Sequence, residues 1–214
     1  KAITQNQITE GVIWKQLLFF FFPILLGTLF QQLYNTADTI VVGRFVGPDA
    51  LAAVGGSTGQ IVNLVVNFFV GLSSGATVII AQLYGAKQRQ DLNNALHTAI
   101  TLSVIGGIFT TIVGILLTPS LLKVMKTPAD VFSGSATYLK IYFSGIIFVF
   151  IYNVGSGILR AVGDSRRPLY FLIICCFVNI FLDILFVVFL HMGVKGAAFA
   201  TVASQAVSAI LVLF

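Results

Sequence analysis

The sequence predicts an all-α, polytopic membrane protein whose fold is a bundle of six transmembrane helices. Hydrophobic residues fill 57% of the 214 positions and charged residues only 9%, and the mean hydropathy is +1.00. A soluble domain carries roughly 25% charged residues, because its surface must face water. This chain has too few charges to cover a globule of its size, so most of its surface is expected to face lipid.

Six segments are long and apolar enough to cross a bilayer, for which about 20 mainly apolar residues are needed. They lie near 14–42, 51–83, 92–117, 132–159, 169–190 and 196–214. The first, second and fourth exceed the minimum, so they should be tilted, kinked or extended beyond the bilayer. We treat 1–214 as one six-helix unit with short turn-rich links, one of which is expected at Thr118-Pro119.

The loop cations give the predicted orientation. An excess of Lys and Arg marks cytoplasmic loops, and seven cations on one side face five on the other, which predicts a cytoplasmic N-terminus. The first group is Lys1, Lys15, Lys87, Arg89, Arg160, Arg166 and Arg167, and the second is Arg44, Lys123, Lys126, Lys140 and Lys195. The net positive charge is explained by these loop cations, which set the orientation in the membrane. Membrane lipid is therefore expected as a partner, and nucleic acid is not.

Two carboxylates lie within apolar sequence, Asp38 near the end of the first span and Asp183 in the fifth. Ionisable residues inside spans are rare and usually face the bundle interior. At 1.5 Å per residue, Asp38, Asp183 and Thr201 share one level, about 6–10 Å below the same end of the bundle. Lys140 is the nearest cation in character, but it can reach outward to the interface. The two acids therefore predict an exchangeable partner, either a proton or a metal cation.

Polar residues follow helical spacing on several spans and predict a water-filled interior. Asn179 and Asp183 are four residues apart and stack on one face. The residues expected to line the cavity are Gln31, Tyr34, Asn35, Gln60, Asn63, Asn67, Asn153 and Gln205. The alternative is that such side chains only link neighbouring helices by hydrogen bonds.

The ion remains open at this stage. Asp38, Asn179, Asp183 and Thr201 offer the hard oxygen ligands that a small cation such as Na⁺ prefers, whereas the two carboxylates alone could exchange a proton. No zinc spacing, phosphate loop or nucleotide motif is present in the sequence, so no other cofactor is predicted.

Two local sequence patterns, at Pro23 and at residues 71–75, each allow two interpretations. Pro23 interrupts the first span, and because proline removes a backbone hydrogen bond it predicts either a hinge or a static kink. The run 71–75 matches the G-x-S-x-G nucleophile pattern, but it lacks the required strand–turn–helix context. We interpret it as a Gly71-x-x-x-Gly75 close-packing face; an intramembrane serine hydrolase that uses Ser74 and a histidine is the distant alternative.

Several motifs resemble the N-terminal half of multidrug and toxic compound extrusion (MATE) transporters of the bacterial branch. They are Pro23 with the run 31–43 (QQLYNTADTIVVG), 81–86 (AQLYGA), 159–168 (LRAVGDSRRP), 179–183 (NIFLD) and 193–201 (GVKGAAFAT). The resemblance covers nearly the whole chain with the motif order preserved.

The resemblance implies one lobe of a two-lobe, twelve-helix transporter in a bacterial plasma membrane, and not an enzyme. It implies secondary active efflux of organic cations and drug-like amphipathic compounds, coupled to proton or Na⁺ movement. Asp38, Asn179, Asp183 and Thr201 match the coupling cluster of the family, and Pro23 matches the bend of its first helix. The partner lobe is expected to be the C-terminal half of the same protein or a second copy. A lipid-linked precursor flippase of the same superfamily and a non-transporting structural subunit are the alternatives.

Overall fold

The fold is all-helical over residues 13–214, which are the residues that the computed structural model describes. Residues 1–12, which include the orientation cation Lys1, lie outside the described residues. Eight α-helices and one π-helix follow in order: α1 Ile13–Phe45, α2 Pro48–Gly55, α3 Ser57–Gly85, α4 Arg89–Val124, α5 Ala129–Ser144, α6 Ile146–Ala161, α7 Arg166–Asp183, the π-helix Ile184–Phe189 and α8 Val194–Leu213.

These helices build up to six membrane spans within the described part of the chain. Five segments are long and apolar enough by themselves, and α2 and α3 together form one of them. The sixth span is the pair α5 and α6, which bends by 50° at Gly145. The chain is therefore a multi-pass membrane protein, as the sequence predicts.

One predicted boundary is wrong. The third span does not end before Thr118-Pro119, because α4 continues through Pro119 to Val124. Proline removes the backbone donor that would pair with the carbonyl oxygen of Ile115, but the helix continues past it. In the same turn the Thr118 hydroxyl donates to the carbonyl oxygen of Gly114 at 2.6 Å. The link to α5 lies at residues 125–128 instead.

The links between helices define two ends of the bundle. What we call the outer end holds the links between α1 and α2, between α4 and α5, and between the π-helix and α8. The inner end holds the links between α3 and α4 and between α6 and α7.

Glycines allow several helices to approach closely, although not at the predicted positions. A Cβ at Gly114 would lie 2.6 Å from the ring of Phe143, and a Cβ at Gly157 would lie 2.5 Å from Oγ1 of Thr77. The predicted close-packing face of Gly71 and Gly75 is wrong, since neither glycine has a neighbour within 4 Å of a Cβ. Periodicity identified a stripe of small residues but could not show whether another helix covers it.

A π-helix begins directly after Asp183 and packs against the start of α8. A Cβ at Gly196 would lie 3.1 Å from the carbonyl carbon of Phe186, so only glycine allows this approach without displacement. Gly193, which precedes α8, has φ +58°, in the left-handed region that favours glycine. Short π-helical segments in proteins often occur at functional sites, and this one adjoins a buried carboxylate.

Candidate cation site and cavity

A cavity of about 700 Å³ lies between the helices, and its wall is strongly polar for a membrane protein. Most of the wall comes from α1, α3, α5, α6 and α7, and one side chain comes from α8. The polar and charged wall residues are Thr28, Gln31, Gln32, Tyr34, Asn35, Asp38, Thr39, Asn63, Asn67, Tyr138, Tyr142, Tyr152, Asn153, Arg160, Ser165 and Gln205. Such a wall supports a water-filled space rather than a lipid contact.

Asp38, Asn179, Asp183 and Thr201 form one buried cluster near the outer end of this cavity. Asp38 is 7% exposed, Thr201 is 1% exposed, and Asn179 and Asp183 are fully buried. The side chain of Asp38 interacts with the other three. Helices α1, α7 and α8 bring these positions together, since Asp38 and Thr201 are 163 residues apart in sequence.

Most oxygen atoms of this cluster lack a hydrogen-bond partner within the described protein. Oδ1 of Asp38, both carboxylate oxygens of Asp183 and both polar atoms of the Asn179 amide are buried without one. The Thr201 hydroxyl lies 3.4 Å from Oδ2 of Asp38, but it donates at 2.9 Å to the carbonyl oxygen of Ala197. Nearly all buried polar groups in proteins are paired, so these atoms call for a partner, and no described residue outside the cluster supplies one.

No described basic side chain forms an ion pair with this cluster. The ion pair present in the described structure joins Arg167 to Asp164 in the link between α6 and α7. Lys140, which the sequence suggested as a distant candidate, is exposed on α5 and is absent from the cavity wall.

Removing carboxylates from water costs several kcal/mol per ion unless a partner compensates. Among the described residues, no group of three His, Cys, Asp or Glu side chains is placed to hold a metal ion. The donors of the cluster are carboxylate, amide and hydroxyl oxygens, which are hard ligands.

The structure places most of the predicted wall residues on the cavity. Those found on the wall are Gln31, Tyr34, Asn35, Asn63, Asn67, Asn153 and Gln205. Gln60 was also expected on the wall, but its side chain is exposed on α3 and is absent from the wall. The wall positions of α3 centre on Val66 and Val70, and at 100° per residue Gln60 falls just past the edge of that face.

Some wall residues were missed by the sequence analysis. Tyr138 and Tyr142 are buried, are four residues apart on α5, and stack with ring centroids 6.2 Å apart. Tyrosine spacing inside a span could have revealed them, since a buried phenol needs a polar neighbour. Arg160 was counted only as a loop cation, but it lies in the last turn of α6 and lines the cavity. Cys175 and Cys176 are buried wall residues with free thiols, so neither faces lipid.

The structure also shows where Pro23 and the G-x-S-x-G pattern lie. Pro23 is buried inside the continuous helix α1 and lines the cavity. The serine of the G-x-S-x-G pattern is Ser73, which is buried and donates to the carbonyl oxygen of Asn153 at 3.1 Å. Ser74 donates to the carbonyl oxygen of Val70 in its own helix. Both hydroxyls thus donate to backbone carbonyl oxygens, whereas a catalytic nucleophile would donate to a general base.

Known proteins are similar to this chain in sequence and in fold. A family model named MatE matches residues 23–185. The probable multidrug resistance protein YoeA of Bacillus subtilis is 34% identical over 206 residues, which are 94% of this chain and 44% of that protein. The probable multidrug resistance protein NorM of Thermotoga maritima is 31% identical, over 92% of this chain and 43% of that protein. The chain thus spans about half the length of the curated relatives it matches.

Solved structures agree with this match. The outward-facing conformation of a multidrug resistance MATE family transporter superposes with a TM-score of 0.90 at 31% identity, over 99% of this chain and 47% of that one. A transporter of the same superfamily from Pyrococcus furiosus, described as having a binding pocket of reverse polarity that suggests a different function, gives a TM-score of 0.91 at 31% identity, over 99% of this chain and 46% of that one. The chain therefore belongs to the MatE family of multi-pass membrane transporters, and its fold is that of one lobe of a MATE transporter.

Proposed function

We propose that this chain is the N-terminal lobe of a secondary active multidrug efflux transporter. It would exchange organic cations and other amphipathic compounds for protons or Na⁺ across a bacterial plasma membrane, with its N-terminus in the cytoplasm. The observation that carries the proposal is the buried pair Asp38 and Asp183, which lies at one end of a polar cavity without a basic partner in the described chain. The names of the relatives support the same activity.

The proposed coupling follows from differential binding. A proton or Na⁺ that occupies the carboxylate pair removes uncompensated negative charge from a nonpolar region, whereas the empty pair favours a conformation that admits water. A ligand shifts a conformational equilibrium only through its different affinities for the two states, and the buried, unpaired carboxylates provide such a difference. Pro23, which lies in the same helix as Asp38, is proposed as the hinge.

The second wall of the transport site would come from a second lobe, since alternating access in such transporters works by movement of one repeat against another. We propose the C-terminal half of the same protein as that lobe, with a second copy of this chain as the alternative. The exposed polar row of α1, which includes Gln31, Gln32 and Asn35, supports a wet cleft between the lobes.

The test uses the full-length protein in proteoliposomes and dye efflux driven by an imposed gradient. Asp38→Asn and Asp183→Asn should each lower the rate at least tenfold, about 1.4 kcal/mol or more in barrier height. Asp49→Asn, at an exposed position near the start of α2, is the matched control and should retain the wild-type rate. Imposing a pH gradient and a Na⁺ gradient in separate experiments identifies the ion. Unimpaired efflux in both variants would refute the proposal.

A further inference from the structure

We infer that Arg160 makes the inner end of the cavity a binding site for an anionic group, a carboxylate or a phosphate, on an amphipathic substrate. The inference rests on the proposed function and adds to its substrate class. It extends that class from organic cations to amphiphiles with an anionic group. Asp38 and Asp183 by themselves would repel an anionic substrate, but Arg160 on the wall supplies a positive charge at the other end of the cavity.

Arg160 is half-buried in the last turn of α6, where it lines the cavity. Tyr152 lies close enough to interact electrostatically with its guanidinium. The hydroxyl of Tyr152 donates to the carbonyl oxygen of Pro168 at 3.3 Å, which fixes this ring at the start of α7. The buried side chain of Ser165 completes the polar inner wall. The site is thus built from both helices that flank the inner link.

The acid closest in sequence does not neutralise Arg160. Oδ2 of Asp164 lies 3.1 Å from Nε of Arg167, and Oδ1 accepts the backbone N–H groups of Arg166 and Arg167. No ion pair to Arg160 occurs among the described residues. A guanidinium has five donors in a planar fork that matches carboxylate and phosphate oxygens. Arg160 therefore keeps this capacity for a ligand in the cavity.

The carboxylate cluster is too distant to occupy Arg160. Pro168 marks the inner end, where its carbonyl oxygen accepts from Tyr152, and Asp183 marks the outer end. The two residues are fifteen positions apart along α7, or about 22 Å at 1.5 Å per residue. At about 20 Å and an effective dielectric constant near 20, two unit charges attract by under about 1 kcal/mol. The two ends of the cavity can therefore act separately, the outer one on the coupling ion and the inner one on the substrate. Leu169 and Leu172, near the start of α7, line the same wall and offer apolar surface for the body of such a substrate.

The alternative is that Arg160 only stabilises the C-terminus of α6, where a cation is favourable. The two roles predict different results for probes that share one fluorophore and alkyl chain but differ in headgroup: trimethylammonium, carboxylate or phosphate monoester. Binding is measured with the full-length protein in nanodiscs of neutral lipid. Arg160→Gln should weaken the carboxylate and phosphate probes about tenfold, while the ammonium probe changes by less than about twofold. Arg160→Lys should fall between, because it keeps the charge but loses the planar fork.

Arg166→Gln is the matched control, because Arg166 is exposed at the same end of the bundle and is absent from the wall. It should leave all three affinities unchanged. Equal weakening of all three probes by Arg160→Gln, or no weakening of the anionic ones, would overturn the inference. Displacement of the carboxylate probe by inorganic phosphate from the wild type, but not from Arg160→Gln, would support the anion site with a free anion as the source. Displacement by phosphatidylglycerol from the wild type, but not from Arg160→Gln, would support it with a membrane lipid as the source.

The binding measurement separates this inference from the proposed function. It needs no gradient, so selective loss in Arg160→Gln would stand even if Asp38→Asn left transport intact. Conversely, gradient-driven efflux that depends on Asp38, together with headgroup-independent binding, would retain the transporter and remove the anion site.

Discussion

The hydroxyl oxygen of Thr201 lies 3.4 Å from Oδ2 of Asp38 and 2.9 Å from the carbonyl oxygen of Ala197. A hydroxyl has one proton to donate and two lone pairs. The shorter contact takes the proton, so the lone pairs remain available on the side of Asp38. Its hydrogen bond to Asp38 is thus the weaker of the two, and the hydroxyl oxygen can serve as a ligand for a cation held by the buried carboxylates.

Thr201→Val should separate Na⁺ coupling from proton coupling. The substitution preserves shape and removes one oxygen from the cluster. If the cluster binds Na⁺, loss of one ligand should weaken Na⁺ binding about tenfold, measured as the Na⁺-dependent rise in melting temperature. Proton-driven transport should change little, because both carboxylates remain.

Thr201→Ser is the control for that measurement, since it retains the hydroxyl and should retain wild-type Na⁺ binding. Unchanged Na⁺ stabilisation in Thr201→Val would exclude the hydroxyl as a ligand. Loss in both variants would show that the site tolerates no change of shape at this position, so the hydroxyl could not be identified as a ligand.

The polar face of α3 should be accessible to water. Asn63 lines the cavity, whereas the adjacent Leu64 is 72% exposed on the outside of the lobe, where lipid is expected. In a background of Cys175→Ser and Cys176→Ser, Asn63→Cys should react with a charged, membrane-impermeant maleimide much faster than Leu64→Cys. Labelling is followed by a gel mobility shift on full-length protein in proteoliposomes. Equal rates at the two positions would show that this face of α3 does not line a wet cavity.

The sequence predicted the buried cluster of Asp38, Asn179, Asp183 and Thr201 because burial of charge leaves a clear signal. A carboxylate inside an apolar span is costly and therefore informative. Helical rise alone placed Asp38, Asp183 and Thr201 at one depth, and the structure brings them into one cluster. Asn179 followed from its four-residue spacing to Asp183.

Features that depend on long-range packing could not be predicted in the same way. Arg160 lies at a helix end, where a loop cation and a cavity cation have the same sequence pattern. The stripe of Gly71 and Gly75 gave no indication of whether a neighbour covers it. Gln60 shares the helical period of Asn63 and Asn67. Only the positions of the neighbouring helices decide which of these side chains face the cavity.

Packing glycines should differ in their tolerance of alanine. A Cβ at Gly157 would lie 2.5 Å from Oγ1 of Thr77 and 3.1 Å from Oγ of Ser73, whereas a Cβ at Gly71 meets open space. Gly157→Ala should therefore destabilise the lobe by about 1–3 kcal/mol, the usual cost of overpacking. Gly71→Ala should be neutral or slightly stabilising, because alanine is the better helix former. Melting temperatures of the two variants in detergent provide the measurement, and equal shifts would contradict the close contact between α3 and α6.

The contact between Gly196 and the π-helix should control the geometry of the buried cluster that contains Asp183 and Thr201. A Cβ at Gly196 would lie 3.1 Å from the carbonyl carbon and the Cβ of Phe186, and backbone atoms yield less readily than a flexible side chain. Phe186 follows Asp183 by three residues, and Gly196 precedes Thr201 by five. Because α8 must move by some tenths of an ångström to accept a methyl group, Gly196→Ala should separate Thr201 from the carboxylates. We expect a lower melting temperature, from about 1–3 kcal/mol of overpacking, together with weaker stabilisation by the coupling ion. Lys195→Ala, at the exposed neighbouring position, should leave both quantities unchanged. A fall in melting temperature with full ion stabilisation would show that this contact supports the fold without positioning the site.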